Sequence, residues 1–176
     1  MAVLIPSIGS CTFDSGGEAR FAARLQEKLE DDYLCWFNVA LGAANLHPDF
    51  IVFHPRRGLL ILEIKDWRAR SIQRADRQHF TLETIRGPIV VENPLEQARH
   101  YAHAAIDLLQ RDPQLVFSGG REAGRLMFPW SFGVVLPNLR RAQFEEGGLG
   151  EVIPSQRVFC KDEMLEDVDA EVFQQR

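Results

Sequence analysis

Apolar positions along this chain recur in two rhythms, one of three to four residues and one of two. After Ser15-Gly-Gly-Glu18, which has capping-box spacing, Phe21, Ala22, Leu25 and Leu29 follow Glu18 at intervals of three, four, seven and eleven residues. One apolar face results, and a helix is predicted from Ser15 to about Asp32 with Glu18 on its core-facing side. A second helix is predicted to start at Asn93 as N-cap, with Pro94 in the first helical position, and to run to about Arg111 before Asp112-Pro113 stops it. Its buried stripe is Ala98, Ala102, Ala105, Ile106 and Leu109. Strands are expected at about Tyr33 to Ala40, from Asp49 and again up to Lys65 on either side of a Pro55-Arg56-Arg57-Gly58 turn, around Gln78 to Ile85, at Trp130 to Leu136 and at Arg157 to Lys161. The residues before Ser15 read as a loop rich in small side chains. The order α, β, β, β, β, α, β, β predicts an α/β sandwich with a mixed central sheet flanked by helices.

Charge interrupts the apolar runs at one place. Successive strand side chains alternate faces, so Glu63 and Lys65 project to one side while Leu60, Leu62 and Ile64 project to the other. Leu59 to Leu62 with Ile64 suggests a strand covered on both faces, where a charge is costly unless it is used. The hairpin brings Asp49 beside them. Two carboxylates on adjacent strands can hold a hard divalent cation such as Mg²⁺, and a neighbouring ammonium can position or deprotonate a water. The competing reading is a same-face ion pair at a surface. Lysine is scarce here, 3 of 20 basic residues, which adds a little weight to Lys65. Glu18 has two roles open to it, capping its helix through the Ser15 N–H or pointing towards the metal site, and one structure can satisfy both. Gln97 and Tyr101, four apart at the edge of the second helix's stripe, either reach a groove beside the sheet or form an ordinary surface pair.

At 176 residues and 45% hydrophobic content the chain can bury one good core. A single domain over 1–176 is expected, with its core at about 15–161. The acidic segment 162–176 is expected to be a tail, ending without a stop signal as a piece of a longer polypeptide would. Met-Ala-Val-Leu-Ile-Pro lacks the basic residues of a secretory signal, and no apolar run reaches membrane length, so no membrane partner and a cytoplasmic location are expected. Cys11, Cys35 and Cys160 fit neither a disulfide framework nor a zinc spacing and are expected to be reduced. The formal net charge is −5. Six acidic and two basic residues lie between Lys161 and Arg176, a local −4, which leaves −1 for residues 1–160. Arg68, Arg70, Arg74, Arg77 and Arg86 stand against only Asp76 and Glu83 just after Lys65, forming either a phosphate-facing patch or a solvated hairpin. The acidic total predicts weak, salt-sensitive binding to nucleic acid.

These motifs resemble the nuclease-related domain (NERD) family within the PD-(D/E)xK, restriction-endonuclease-like superfamily. The resemblance covers about residues 15–136. It rests on Gly17-Glu18 opening the first helix, Pro48-Asp49, Glu63-Ile64-Lys65 followed by Asp66-Trp67, and Gln97-x-x-x-Tyr101, the last similar to the Gln-x-x-x-Tyr element of RecB-type nucleases. It implies a three-layer sandwich of the restriction-endonuclease type. Mg²⁺ or Mn²⁺ would be bound by Asp49 and Glu63 with the Ile64 carbonyl, and Glu18 would complete or orient the site. Asp49, Glu63, Lys65 and Gln97 would be the catalytic set, Lys65 acting on the attacking water. Gln97 and Tyr101 would position the DNA strand, and Arg68 and Arg70 would contact substrate. The acidic charge departs from what a DNA-binding protein needs, and implies that another domain, often a helicase or kinase in this family, supplies binding in cis or in trans.

Two functions are therefore carried forward. One is a metal-dependent DNA nuclease leaving a 5′-phosphate and a 3′-hydroxyl, in DNA processing or repair. The other is a non-catalytic module that binds nucleic acid or a partner and targets an attached helicase or other enzyme.

Overall fold

A computed structural model describes residues 1–43 and 45–176. In chain order its elements are β1 (Val3–Ile5), α1 (Gly16–Lys28), β2 (Leu34–Phe37), β3 (Phe50–His54), β4 (Gly58–Ile64), β5 (Ile72–Ala75), β6 (His79–Thr84), β7 (Gly87–Glu92), α2 (Pro94–Leu109), β8 (Trp130–Leu136), α3 (Arg141–Glu146), β9 (Val158–Cys160) and α4 (Ala170–Gln175). The large sheet has the order β1-β2-β3-β4-β8-β9 and the small one β5-β6-β7. β4 lies within the large sheet, antiparallel to β3 and parallel to β8. Both edges of β4 are thereby paired, which suits its unbroken apolar run.

The two faces of β4 feed different cores. Leu62 and Ile64 join Phe50, Val52 and Val135 under α1, whose Phe21, Ala22 and Leu25 pack there with Phe173 of α4. Leu59 and Ile61 join Ile51 under Ala102, Ala105 and Ile106 of α2. On that second face the small sheet lies alongside α2, with Phe80 and Leu82 packed on Val134, Leu136 and Phe144. The result is the expected three-layer α/β sandwich with a mixed central sheet. Among the described residues no helix is long and apolar enough to cross a membrane.

Both helix starts follow their capping residues. Ser15 Oγ accepts the Glu18 N–H at 3.2 Å, and Asn93 Oδ1 accepts the Leu95 N–H at 2.9 Å with Pro94 opening α2. Several boundaries differ from expectation, each through a contact distant in sequence. α1 ends at Lys28 rather than near Asp32, because the Leu29 carbonyl turns to accept the Ala2 N–H and the Tyr33 carbonyl accepts the Val3 N–H. Those bonds belong to β1, where a loop was expected. β2 stops at Phe37 because Asn38 takes a left-handed φ of 51°. The single strand expected around Gln78 to Ile85 is the middle of three. β5 and β7 escape the alternation rule because one carries a register shift and the other begins at Gly87-Pro88. α3 was also unforeseen.

Residues 162–176 are not a loose tail. Phe173 is buried against Phe21 and Phe159. Glu163 pairs with Arg141 at 2.7 Å, and Glu166 with Arg24 at 2.7 Å. All three cysteines are free thiols, and burial pushes Cys35 and Cys160 up to about 12, so both stay protonated and unreactive.

Candidate metal and substrate site

The β3–β4 register assembles the site. Phe50 faces Leu62, so Asp49 falls opposite Glu63 and both carboxylates project to the α2 face. Asp49 Oδ2 accepts the Ile64 N–H at 2.6 Å, which binds the carboxylate to the end of β4. Lys65, one residue past the strand, donates from Nζ to Glu63 Oε1 at 2.7 Å. Its backbone N–H bonds the Val135 carbonyl at 2.9 Å. Glu63 is 3% exposed, and its Oε2 is buried with no hydrogen-bond partner among the described residues. Such an orphan is rare and costs free energy unless something comes to it.

Electrostatics carry the same message. Burial pushes Asp49 up to about 6, against the opposing help of the Ile64 N–H and Lys65. Burial pushes Glu63 up to about 7, with the Asp49 charge adding to it and Lys65 opposing. One ammonium is thus too little positive charge for the carboxylates gathered here.

Glu18 enters from the other face at the N-terminus of α1 and is likewise buried. Its charge contributes to raising both Asp49 and Glu63. Its oxygens are committed locally, Oε2 accepting the Asp14 N–H at 3.0 Å and Oε1 the Ser15 hydroxyl at 3.0 Å. The capping role expected of it is therefore present, except that the amide is Asp14's rather than Ser15's. Among the described residues no three His, Cys, Asp or Glu side chains are gathered closely enough to hold a metal ion. Lys65 takes one oxygen of Glu63, the Ile64 N–H one of Asp49, and the cap both of Glu18. In donor chemistry the set still fits a hard cation, with Glu63 Oε2 the buried oxygen left over.

A network that sequence reasoning missed fixes α1 against the ends of β4 and β8. Asn138 Nδ2 donates to the Asp66 carbonyl and to Asp66 Oδ1, each at 2.9 Å. Arg20 Nη2 donates to Asn138 Oδ1 at 2.9 Å and lies 3.5 Å from Asp66 Oδ1. Gly17 makes the approach feasible, because a Cβ there would come within 2.5 Å of both Asp66 Oδ1 and Pro137 Cγ. Gly17 and Asp66 were visible as motif letters and Asn138 lies two residues past the strand expected at Trp130 to Leu136, but no spacing rule joins them.

The remaining candidates lie around this centre without hydrogen-bonding to it. Gln97 Nε2 donates to Tyr101 Oη at 3.1 Å, the i,i+4 pair the helix dictates, on the helix that covers the Glu63 face. Arg68 and Arg70 are exposed in the segment just after Lys65 and form no ion pair among the described residues. A family model for the nuclease-related domain matches residues 14–124, a span holding every candidate residue named above. No curated protein and no solved structure matches the chain.

Proposed function

The chain belongs to the nuclease-related domain family, and from that premise we propose that it is a metal-dependent deoxyribonuclease acting in DNA processing or repair in the cytoplasm. One observation carries the reading: Glu63, buried beside Asp49 within the matched span, has an oxygen with no partner among the described residues. Asp49, Glu63 and the Ile64 carbonyl would hold Mg²⁺ or Mn²⁺, with Glu18 orienting the set. When bound, such a cation supplies Lewis-acid stabilisation of charge on phosphate oxygens and acidifies a water.

The protein's own groups divide the rest of the work. Lys65, now bonded to Glu63 Oε1, orients the attacking water and donates a hydrogen bond to a phosphate oxygen as charge develops there. Attack at phosphorus breaks the P–O3′ bond, leaving a 5′-phosphate, and the departing oxygen takes a proton to become the 3′-hydroxyl. Gln97 supplies amide donors and Tyr101 a hydroxyl from α2 to align the strand being cut. Arg68 and Arg70 contact its phosphates.

A second reading is favoured by the same bonds that tie up the carboxylates. With Lys65 on Glu63 and Glu18 in its cap, the domain would bind nucleic acid or a helicase-type partner without cutting. Cleavage of labelled linear and circular DNA in Mg²⁺, Mn²⁺ or EDTA, with wild type beside Lys65→Ala, separates the two. We expect metal-dependent cleavage that falls at least about 100-fold in the variant, the scale of a general-base or charge-stabilising group. Full activity in Lys65→Ala would remove the catalytic reading, and no cutting by either protein would favour the binding module.

A further inference from the structure

The small sheet has work that its packing does not explain. Its inner face is buried, with Phe80 and Leu82 against Val134, and Val134 is the residue paired with Glu63 across β4 and β8. Trp67, two residues past Lys65, lays its ring 5.2 Å from that of Phe80. The sheet is therefore anchored on the face that carries Asp49, Glu63 and Lys65. Its β6–β7 turn projects Ile85 fully into solvent. This tip is held in shape: Thr84 pairs with Gly87, the Thr84 hydroxyl donates to the Gly87 carbonyl at 2.7 Å and accepts the Arg86 N–H at 3.1 Å, and Gly87 takes a φ of 103° that other residues resist.

Topology gathers cations around the same tip. β5 runs antiparallel to β6 with Ile72 facing Leu82, so the 3-10 turn Ala69–Ser71 before β5 lies at the Thr84 end and brings Arg70 with it. Arg70 and Arg86 are exposed, and neither forms an ion pair or donates a side-chain hydrogen bond among the described residues. Of the sheet's acidic groups, Glu83 accepts from Gln73, Asp76 accepts the Gln78 and His79 amides, and Glu92 lies opposite His79 at the end of β7 away from the tip. Arg68, Arg74 and Arg77 of the same stretch are likewise exposed and without a carboxylate partner among the described residues, whereas Arg24, Arg99, Arg125 and Arg141 each have one. An apolar side chain flanked by free cations is suited to a base stack edged by phosphates rather than to water.

We propose that the β6–β7 turn is a wedge for double-stranded DNA, Ile85 entering a base step while Arg70 and Arg86 hold the phosphates on either side. Inserted aliphatic side chains unstack and kink a duplex in this way. This rests on the nuclease reading of the neighbouring site and narrows its substrate to duplex opened beside the cut. Arg70 is five positions after Lys65, so at about 3.8 Å per Cα–Cα step their Cα atoms are at most about 19 Å apart. With one phosphate of each strand per about 3.4 Å of duplex axis, that is a reach of at most roughly five to six base pairs.

The test uses 2-aminopurine fluorescence of a labelled duplex in EDTA, where nothing is cut, together with the ratio of duplex to single-strand cleavage rates in Mg²⁺. Wild type, Ile85→Ser and the double variant Arg70→Ala/Arg86→Ala are compared. We expect wild type to raise the fluorescence, Ile85→Ser to lose at least about four-fifths of that rise, and its duplex-to-single-strand rate ratio to drop about tenfold. The arginine variant should weaken duplex binding and flatten its salt dependence. Cutting by wild type with an unchanged ratio and an unchanged rise in Ile85→Ser would overturn the wedge and leave the nuclease standing. Unstacking without cutting would support the wedge and remove the nuclease. Absence of any duplex binding by wild type would overturn the wedge and assign the exposed tip to a protein partner, while cutting of the single strand by that protein would leave the nuclease standing.

Discussion

At the scale of single residues, Glu63 has the most consequential surroundings. Its carboxylate and that of Asp49 hold their protons in the folded protein to about 7 and about 6, while an unfolded chain releases them near 4.5 and 3.8. Between those limits the folded state binds more protons than the unfolded one. Stability of the metal-free protein from this pair is therefore fully present below about pH 4, is lost as pH rises to about 7, and stays level above. At about 1.4 kcal/mol per unit the loss amounts to a few kcal/mol. Urea denaturation in EDTA across that range checks it, and Glu63→Gln should flatten much of the slope. Divalent cation should restore stability above pH 7, seen as a Tm that rises with Mg²⁺. Gly17 presents a steric case. Gly17→Ala puts a methyl group 2.5 Å from Asp66 Oδ1 and Pro137 Cγ, so the N-terminus of α1 must shift. We expect a loss of about 1–3 kcal/mol by denaturation, with nuclease activity falling more than stability because Glu18 moves with the helix.

At the scale of elements, caps and junctions carry the argument. Asn93 is buried and its side chain makes three bonds, accepting the Leu95 N–H and donating to the Asp76 and Arg77 carbonyls. It both starts α2 and ties the small sheet to it. Asn93→Ala should cost about 2–3 kcal/mol, about 1 for the cap and the rest for the two part-buried bonds to carbonyls that are lost with it. Asn93→Asp keeps the cap and lacks the donors, so its melting curve should fall between those of Asn93→Ala and wild type. Two equal losses would show that the carbonyl bonds carry the whole effect. The cap was legible in Asn93-Pro94, but the two carbonyl bonds were not, because they come from a turn between strands whose pairing the sequence only half revealed.

At the scale of the whole molecule, the terminal segment belongs to the core. Phe173 closes a cluster with Phe21 and Phe159 under the face of β4 opposite the site. Phe173→Ala should destabilise by about 3–5 kcal/mol, measured by urea unfolding, with duplex binding unchanged in conditions where the variant stays folded. A cost under 1 kcal/mol would return residues 162–176 to the loose tail expected from their charge. That expectation failed because acidic composition was weighed for the segment as a whole, whereas burial is decided by one phenylalanine and by partners such as Arg24 and Arg141 more than a dozen residues away.

What the sequence by itself determined is local in origin. Alternation along Gly58–Ile64 placed Glu63 and Lys65 on one face, the Pro-Arg-Arg-Gly turn set Asp49 beside them, and Ser15 and Asn93 started the two long helices. Each depends on backbone geometry repeated over a few residues, so it can be read from spacing. Only the tertiary structure decided that Asp49 holds the Ile64 N–H, that Glu63 has a buried oxygen without a partner among the described residues, that Arg20, Asp66 and Asn138 lock α1 in place, and that β1, β5 and β7 complete their sheets. Those outcomes depend on desolvation and on hydrogen bonds between segments distant along the chain. Both are properties of the assembled fold rather than of any window of residues.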